Sequence, residues 1–285
     1  MKCSAILAVI VSSIALVRAS GLNSQGHHAA PARRSRLAEL PDTEGDIRGP
    51  GANSTNDKRG KKHGVHKAAT SSGQGLINVK STCGAIGATK EVTATSGPNG
   101  NMDWLNCGIT GAGWTPPFMT VNDIVHEDLA TALQDPNSPF KACSAFTDAF
   151  YQFGNEYGVP PILLASFALQ ESSCNPKTIG GAGEQGLMQI TKDKCARAPG
   201  GNCLDPYYNI QTGAQFFAGL LKGNNGDLLR SIGSYNGWFH GMTYNDATAA
   251  AKTNLQQFLN GWVLNVNAYQ HSPKLGKYFN LNVCK

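Results

Sequence analysis

Beyond residue 19 this 285-residue chain has no long apolar run, and nothing in it reaches the roughly 20 consecutive apolar residues that a membrane-spanning helix requires. It also has no Cys-x-x-Cys spacing, so the common structural zinc sites are not expected, and neither a metal nor a cofactor is implied. Its second part lacks an excess of either charge. The net +5 of the whole chain comes from residues 1–74, which hold eleven of the 24 Lys and Arg against five of the 19 Asp and Glu. Residues 75–285 keep thirteen basic and fourteen acidic side chains. A polyanion-binding surface is therefore not supported, and no nucleic-acid partner is expected.

Residues 20–74 are poor in aromatic and β-branched side chains and rich in Gly, Ser, His, Pro, Arg and Lys. Such a segment cannot bury enough apolar surface to offset its chain entropy, so a disordered prosegment or linker is expected. Lys58-Arg59 reads as a processing site of the eukaryotic secretory pathway, and Asn53-Ser54-Thr55 is a glycosylation sequon. His63 and His66 stand beside Lys61 and Lys62 without a Cys or carboxylate cluster, which suits a solvated basic tail better than a metal tract.

What is present begins at the N-terminus. Residues 1–19 combine basic Lys2, an apolar core from Ala5 to Val17, and a small-residue cleavage site around Val17-Arg18-Ala19. That pattern is a secretory signal peptide. The alternative, an uncleaved anchor, is opposed by Arg18 and by the small polar residues after it. The expected product is secreted and extracellular, a monomer with no membrane contact once the signal is removed.

Eight cysteines are consistent with that compartment. Cys3 falls in the leader, and the remaining seven read as three disulfides and one odd thiol. Cys195 and Cys203 bracket a Pro-Gly-Gly-Asn loop and make the leading pair; Cys83 and Cys107, around a hairpin, make the second. A third takes two of Cys143, Cys174 and Cys284, and the sequence leaves that choice open.

From Gly75 to residue 138 the pattern predicts a small β-rich extension. Leu-Ile-Asn-Val and the alternating Glu-Val-Thr-Ala-Thr read as strands, and Ser-Gly-Pro-Asn-Gly as a turn. Trp104 and Trp114 suit either the core or a sugar-stacking edge. Past Pro139 the period becomes helical. Phe140, Cys143, Phe146, Phe150, Phe153 and Tyr157 predict one helix that Gly158 stops. Pro160-Pro161 opens a second, apolar nearly all round and so central. Asn209-Ile210 opens a third, Asp227 caps a shorter one leading to Tyr235, and Asp246 caps a last long one with Leu255, Phe258, Leu259, Trp262, Val266 and Tyr269 on its apolar face. Trp238 and Phe239 suit either a sugar platform or a packed corner.

Glu171 ends the central helix. Desolvation and the negative helix end both disfavour a carboxylate there, so the acid is expected to keep its proton near neutrality, as a general acid requires. By position alone it could equally be a surface residue on a fraying turn. Gly180, Gly181 and Gly183 follow as a hinge, and an apolar stretch then ends in Gln189 and Ile190.

Glu171-Ser172, Asn175-Pro176, Gly186-Leu187-Met188-Gln189-Ile190 and Tyr235-Asn236 together resemble the three-motif signature of the soluble lytic transglycosylase (SLT) family, glycoside hydrolase family 23, related to goose-type lysozyme. The resemblance covers residues 139–285 and is that of a secreted, eukaryotic, fungal-like member. It implies an α+β, mainly α architecture, a lysozyme-like helical domain behind the small extension. It implies Glu171 as catalytic acid and base, and Ser172, Leu187, Met188, Gln189, Tyr235 and Asn236 as the substrate-binding cleft. Three positions depart from the pattern: Cys174 replaces a frequent aromatic, Ser234 a usual alanine, and Glu184 a common small residue. Glu184 is a candidate water-positioning base, since paired carboxylates are the usual hydrolase arrangement, or else a solvent-facing loop residue.

The implied substrate is the β-1,4 glycan of peptidoglycan, cleaved as a lytic transglycosylase or a muramidase. Chitin is the nearest competitor because it shares the N-acetylated sugar. A glycan-binding protein without turnover is the alternative of another class.

Overall fold

The computed structural model describes residues 75–246 and 255–275. The leader, the 20–74 segment with its dibasic site, sequon and histidines, and Cys284 lie outside the described residues. The chain folds mainly as short helices: α1 (Met102–Leu105), α2 (Leu129–Ala132), a 3-10 segment (Pro139–Phe146), α3 (Thr147–Tyr157), α4 (Pro161–Ser172), 3-10 turns at Lys192–Arg197 and Pro199–Gly201, α5 (Pro206–Gly223), α6 (Leu228–Tyr235), α7 (Leu255–Asn260) and a 3-10 turn at Trp262–Leu264. Among the described residues no helix is long and apolar enough to cross a membrane.

The central helix is α4. Pro161 fits its first turn, where the missing N–H costs nothing, and residues 162–169 are all buried. It stops at Ser173, which turns left-handed at φ 54 and donates its N–H back to Leu169 O. Phe167 sits at the middle of the aromatic core. Its ring lies 4.9 Å from that of Phe217 on α5, 4.7 Å from Phe258 on α7, and 4.3 Å in a stacked pose from Tyr235 at the end of α6. Each fully buried ring of this size contributes roughly 1.5–3 kcal/mol, so α4, α5, α6 and α7 are fixed to one another through this cluster.

The expected long helix from Phe140 is two pieces. Residues 139–146 form a 3-10 segment, and Phe146 at φ −115, ψ 7 breaks the line before α3 begins. Phe140 and Cys143 remain buried, because a 3-10 turn also repeats about every three residues and serves the same apolar spacing. Cys143 there bonds to Cys174 just past α4, and the pairs Cys83–Cys107 and Cys195–Cys203 are formed as well. The last helix also ends early. Gly261 takes φ −115, ψ −91, so α7 stops at Asn260; Trp262 and Val263 are nonetheless buried, and Trp262 meets Tyr269 edge-on at 4.8 Å. Thr243 begins the preceding turn, with Asp246 accepting from both its N–H (2.9 Å) and its hydroxyl (2.7 Å), so Asp246 is the return half of the cap rather than the cap itself.

The β-rich extension is not formed: residues 75–138 contain no strand. The Ser96–Gly100 stretch forms the expected turn, at Pro98 and Asn99, and is buried; side-chain amides from α7 take backbone groups that a partner strand would have used. Asn260 Oδ1 accepts from Asn99 N–H at 2.8 Å, Asn260 Nδ2 donates to Gly100 O at 2.9 Å, and Gln256 Nε2 donates to Ser96 O at 3.1 Å. Asn99 answers by donating to Leu259 O at 2.5 Å and Val125 O at 2.8 Å. With those groups satisfied, no ladder is needed. Trp104 and Trp114 are fully buried core residues, the indole N–H of Trp104 reaching Ser81 Oγ at 2.9 Å. Trp114 meets Trp238 edge-on at 4.9 Å, so Trp238 is the packed corner and Phe239 alone is exposed.

Candidate active site

The site is assembled from the end of α4, the loop between α4 and α5, and the end of α6. Glu171, on the last turn of α4, is partly exposed, and its Oε1 accepts a hydrogen bond from Asn236 Nδ2 at 3.0 Å. Asp227 accepts from Arg230 N–H at the start of α6 and Asn236 closes its end, so this short helix sets where Asn236 stands. Tyr235, one residue earlier, donates its hydroxyl to Met188 O at 2.9 Å. Burial first, and then the charge of Glu171, hold the Tyr235 phenol well above the ordinary tyrosine value of 10. It is therefore a permanent donor at any physiological pH.

The loop between α4 and α5 folds back on itself. Ile179 and Ile190 both bridge to Gln185, and Gly186 N–H reaches Thr178 O at 2.8 Å. Ser172 ties it to the helix: its hydroxyl lies 2.8 Å from Leu187 O and 2.9 Å from Ala168 O. Leu187 and Met188 are fully buried. They were expected in the cleft, but their side chains fill the core, and their carbonyls are taken by Ser172 and Tyr235, so they shape the site only from behind.

Gln189 and Glu184 serve the same loop. Gln189 adopts a left-handed backbone, φ 47, and its amide donates to Gly186 O at 2.8 Å and Thr178 O at 3.2 Å. Glu184 Oε2 accepts from Ala182 N–H at 3.1 Å. Both side chains press on Gly180, where an added Cβ would collide with the Glu184 carboxylate and stand 2.6 Å from Gln189 Oε1. The structure thus brings Glu171, Tyr235 and Asn236 together, has Ser172 join the helix to the loop, and gives Glu184 and Gln189 bonds within that loop. Among the described residues no group of three or more His, Cys, Asp or Glu side chains is placed to hold a metal ion.

One residue was missed in sequence. Asn209, in the first turns of α5, is fully buried beneath the loop. Its Oδ1 accepts from Met188 N–H at 2.8 Å, and its Nδ2 donates to Gln185 O at 2.8 Å and Cys203 O at 3.0 Å. An asparagine near a helix start reads as a cap, but the cap is Asp205, which accepts from Tyr208 N–H at 2.8 Å. An asparagine four residues past that cap, on the apolar side of the helix beside Ile210, was the available signal. Gly186, at φ 75, is tight against Asn209, which leaves no room for a Cβ there.

Residues 148–258, which contain every one of these groups, match the family model of the Transglycosylase SLT domain. Over these residues the chain is similar to SLT-type domains, and Glu171 stands in that stretch at the end of a buried helix. Among curated proteins the chain is 37% identical over 73 residues to the membrane-bound lytic murein transglycosylase F 1 of Alkalilimnicola ehrlichii, covering 26% of this chain and 15% of that protein. It is also 37% identical over 101 residues to the transglycosylase of Enterobacteria phage PRD1, covering 34% and 35%. The chain therefore spans well under half the length of either relative. Among solved structures, the 70 kDa soluble lytic transglycosylase of Escherichia coli aligns at 25% identity with a TM-score of 0.31, over 32% of this chain and 16% of that one. The fold rests on the helices described above and not on that superposition.

Proposed function

We propose that this protein is a secreted glycosidase that cleaves the β-1,4 bond of peptidoglycan chains, with Glu171 as its general acid and base. The observation that carries this is the bond from Asn236 to Glu171, which joins two of the three motifs around one carboxylic acid at a helix end. Both relatives are named transglycosylases, and the name of the Alkalilimnicola ehrlichii protein, a lytic murein transglycosylase, supports the substrate class.

In this mechanism Glu171 gives its proton to the leaving glycosidic oxygen as the bond to the anomeric carbon breaks, while the substrate's own N-acetyl oxygen closes on that carbon. Glu171, now a carboxylate, then removes a proton from the second nucleophile. If that nucleophile is water the product has a reducing end; if it is a hydroxyl of the same sugar, no water is consumed and an anhydro end results. Asn236 fixes the Glu171 rotamer, and Tyr235 fixes the loop that faces it. The engagement of Glu184 with Ala182 supports substrate assistance over a second carboxylate.

Mass spectrometry of the products tests this reading. Anhydro-muramyl ends from peptidoglycan are expected, reducing ends would assign a muramidase, and cleavage of chitin oligomers alone would move the substrate. No product from either glycan would leave a binding protein and overturn the enzyme.

A further inference from the structure

The 3-10 turn Lys192–Arg197 begins two residues after Ile190 and carries Lys192, Lys194 and Arg197 against the single acid Asp193. In a region whose charges nearly balance only with this turn included, it is a local excess of positive charge beside the site. Lys192 and Arg197 are exposed; Lys194 is not, with 23% of its side chain accessible. Its ammonium lies over the Phe216 ring, 4.6 Å from the centroid. Phe216 in turn stands 5.3 Å, centroid to centroid, from Tyr235, whose phenol feels the charge of Glu171. One ring thus separates a held cation from the ring beside the acid.

The lysine is fixed at both ends. Tyr208 donates its hydroxyl to Lys194 O at 2.6 Å, and the neighbouring Cys195 is bonded to Cys203. At the tip, Nζ donates to Thr191 Oγ1 at 2.9 Å and to Asp193 Oδ2 at 3.2 Å. An ammonium has three donors, so one N–H is left over for a ligand. Asp193 pairs with Lys194, but its side chain is 74% exposed and such a pair is weakly held in water, so an incoming carboxylate can compete for the ammonium. A partly exposed cation held over an aromatic face, with a spare donor, fits a carboxylate arriving from solvent.

We propose that Lys194, seated on Phe216, is a specificity-determining residue that reads a carboxylate on the glycan and so favours peptidoglycan strands with free carboxylates on their peptide stems over neutral N-acetylated chains such as chitin. This rests on the glycosidase reading of the same cleft for its substrate class, but its test does not depend on turnover. Lys194 binds and selects; the proton chemistry stays with Glu171.

The test measures binding, by calorimetry, to the Glu171→Gln protein, so that neither glycan is consumed. Two probes of equal sugar length are used: a muramyl oligosaccharide with stem carboxylates, and a chitin oligomer. With Lys194→Gln added, affinity for the stem-bearing probe is expected to fall roughly tenfold, that for chitin to stay within about twofold, and Lys194→Arg to restore most of the loss. The preference should also shrink as salt rises. Equal affinities before and after Lys194→Gln would overturn the inference, as would an equal loss for both probes, which would mean only that the loop had been disturbed, or no binding of either probe. A parent chain that cleaves neither glycan while keeping a Lys194-dependent preference would remove the glycosidase reading and leave this subsite standing. Turnover with no such preference would do the reverse.

Discussion

Asn236 donates its side-chain amide to Glu171 Oε1 at 3.0 Å, across 65 positions of sequence. The bond selects one orientation of the carboxylic acid from those its side chain could otherwise sample. In the proposed mechanism this acid exchanges its proton during reaction, and on that reading the bond acts on the barrier more than on ground-state binding.

Replacing Asn236 by Ala should therefore lower kcat by about ten- to a hundredfold, the value of one charge-assisted hydrogen bond, while KM moves by less than about threefold. Steady-state kinetics on soluble glycan fragments measure the split. A rise in KM with kcat unchanged would instead assign Asn236 to sugar contact.

Glu184→Gln should leave turnover within about twofold of the parent. The amide oxygen can still accept from Ala182 N–H, which is the bond the carboxylate makes. A loss of a hundredfold or more, with melting unchanged, would make Glu184 the water-positioning base.

Asn209→Ala should destabilise the domain strongly. It strips a partner from Met188 N–H, from Cys203 O and from Gln185 O, which keeps its bond from Ile190 N–H, at a fully buried position, and each orphaned group costs about 1–3 kcal/mol. Thermal melting, at roughly 2–4 °C per kcal/mol for a domain of this size, should show a drop of several degrees or more. An unchanged melting temperature would mean that water replaces the amide.

Alkaline stability should decline from pH 10 upward. Burial first, with Asp128 adding to it, raises the Tyr151 phenol from 10 to about 12, and Tyr235 is raised as well. The unfolded chain loses these protons first, so the folded state has no advantage to lose below pH 10 and becomes progressively disfavoured from pH 10 to about 12. Denaturant midpoints measured across that window should fall less steeply in Tyr151→Phe than in the parent.

Much of this was readable from the residues, and the failures have physical causes. The three motifs around Glu171, Gln189 and Tyr235-Asn236 stand out because they combine special backbone needs, such as the positive φ at Gly186, with polar residues in an apolar context. Cys195–Cys203 follows from its short loop, Cys83–Cys107 forms although the hairpin expected around it does not, and Cys143–Cys174 is one of the pairings left open. The β-rich reading of residues 75–138 failed because alternation along Glu91–Thr95 carries no knowledge of Gln256 and Asn260, some 160 positions away, which capture the adjoining backbone. Asn209 was hidden for another reason: its partners, within 24 positions, are backbone groups, which leave no mark in the sequence. The 3-10 segment at Pro139–Phe146 and the break at Gly261 were missed because apolar spacing fixes which side chains are buried but not the turn that buries them.

The central claim is that Glu171 is the acid. The direct measurement is the rate at which purified parent and Glu171→Gln proteins, matched for melting temperature, release soluble fragments from isolated peptidoglycan. Gln keeps the size of the side chain and an oxygen for Asn236 but has no proton to give. The account predicts a loss of about 10²–10⁴-fold, the usual contribution of a general acid. Release at the parent rate would contradict it.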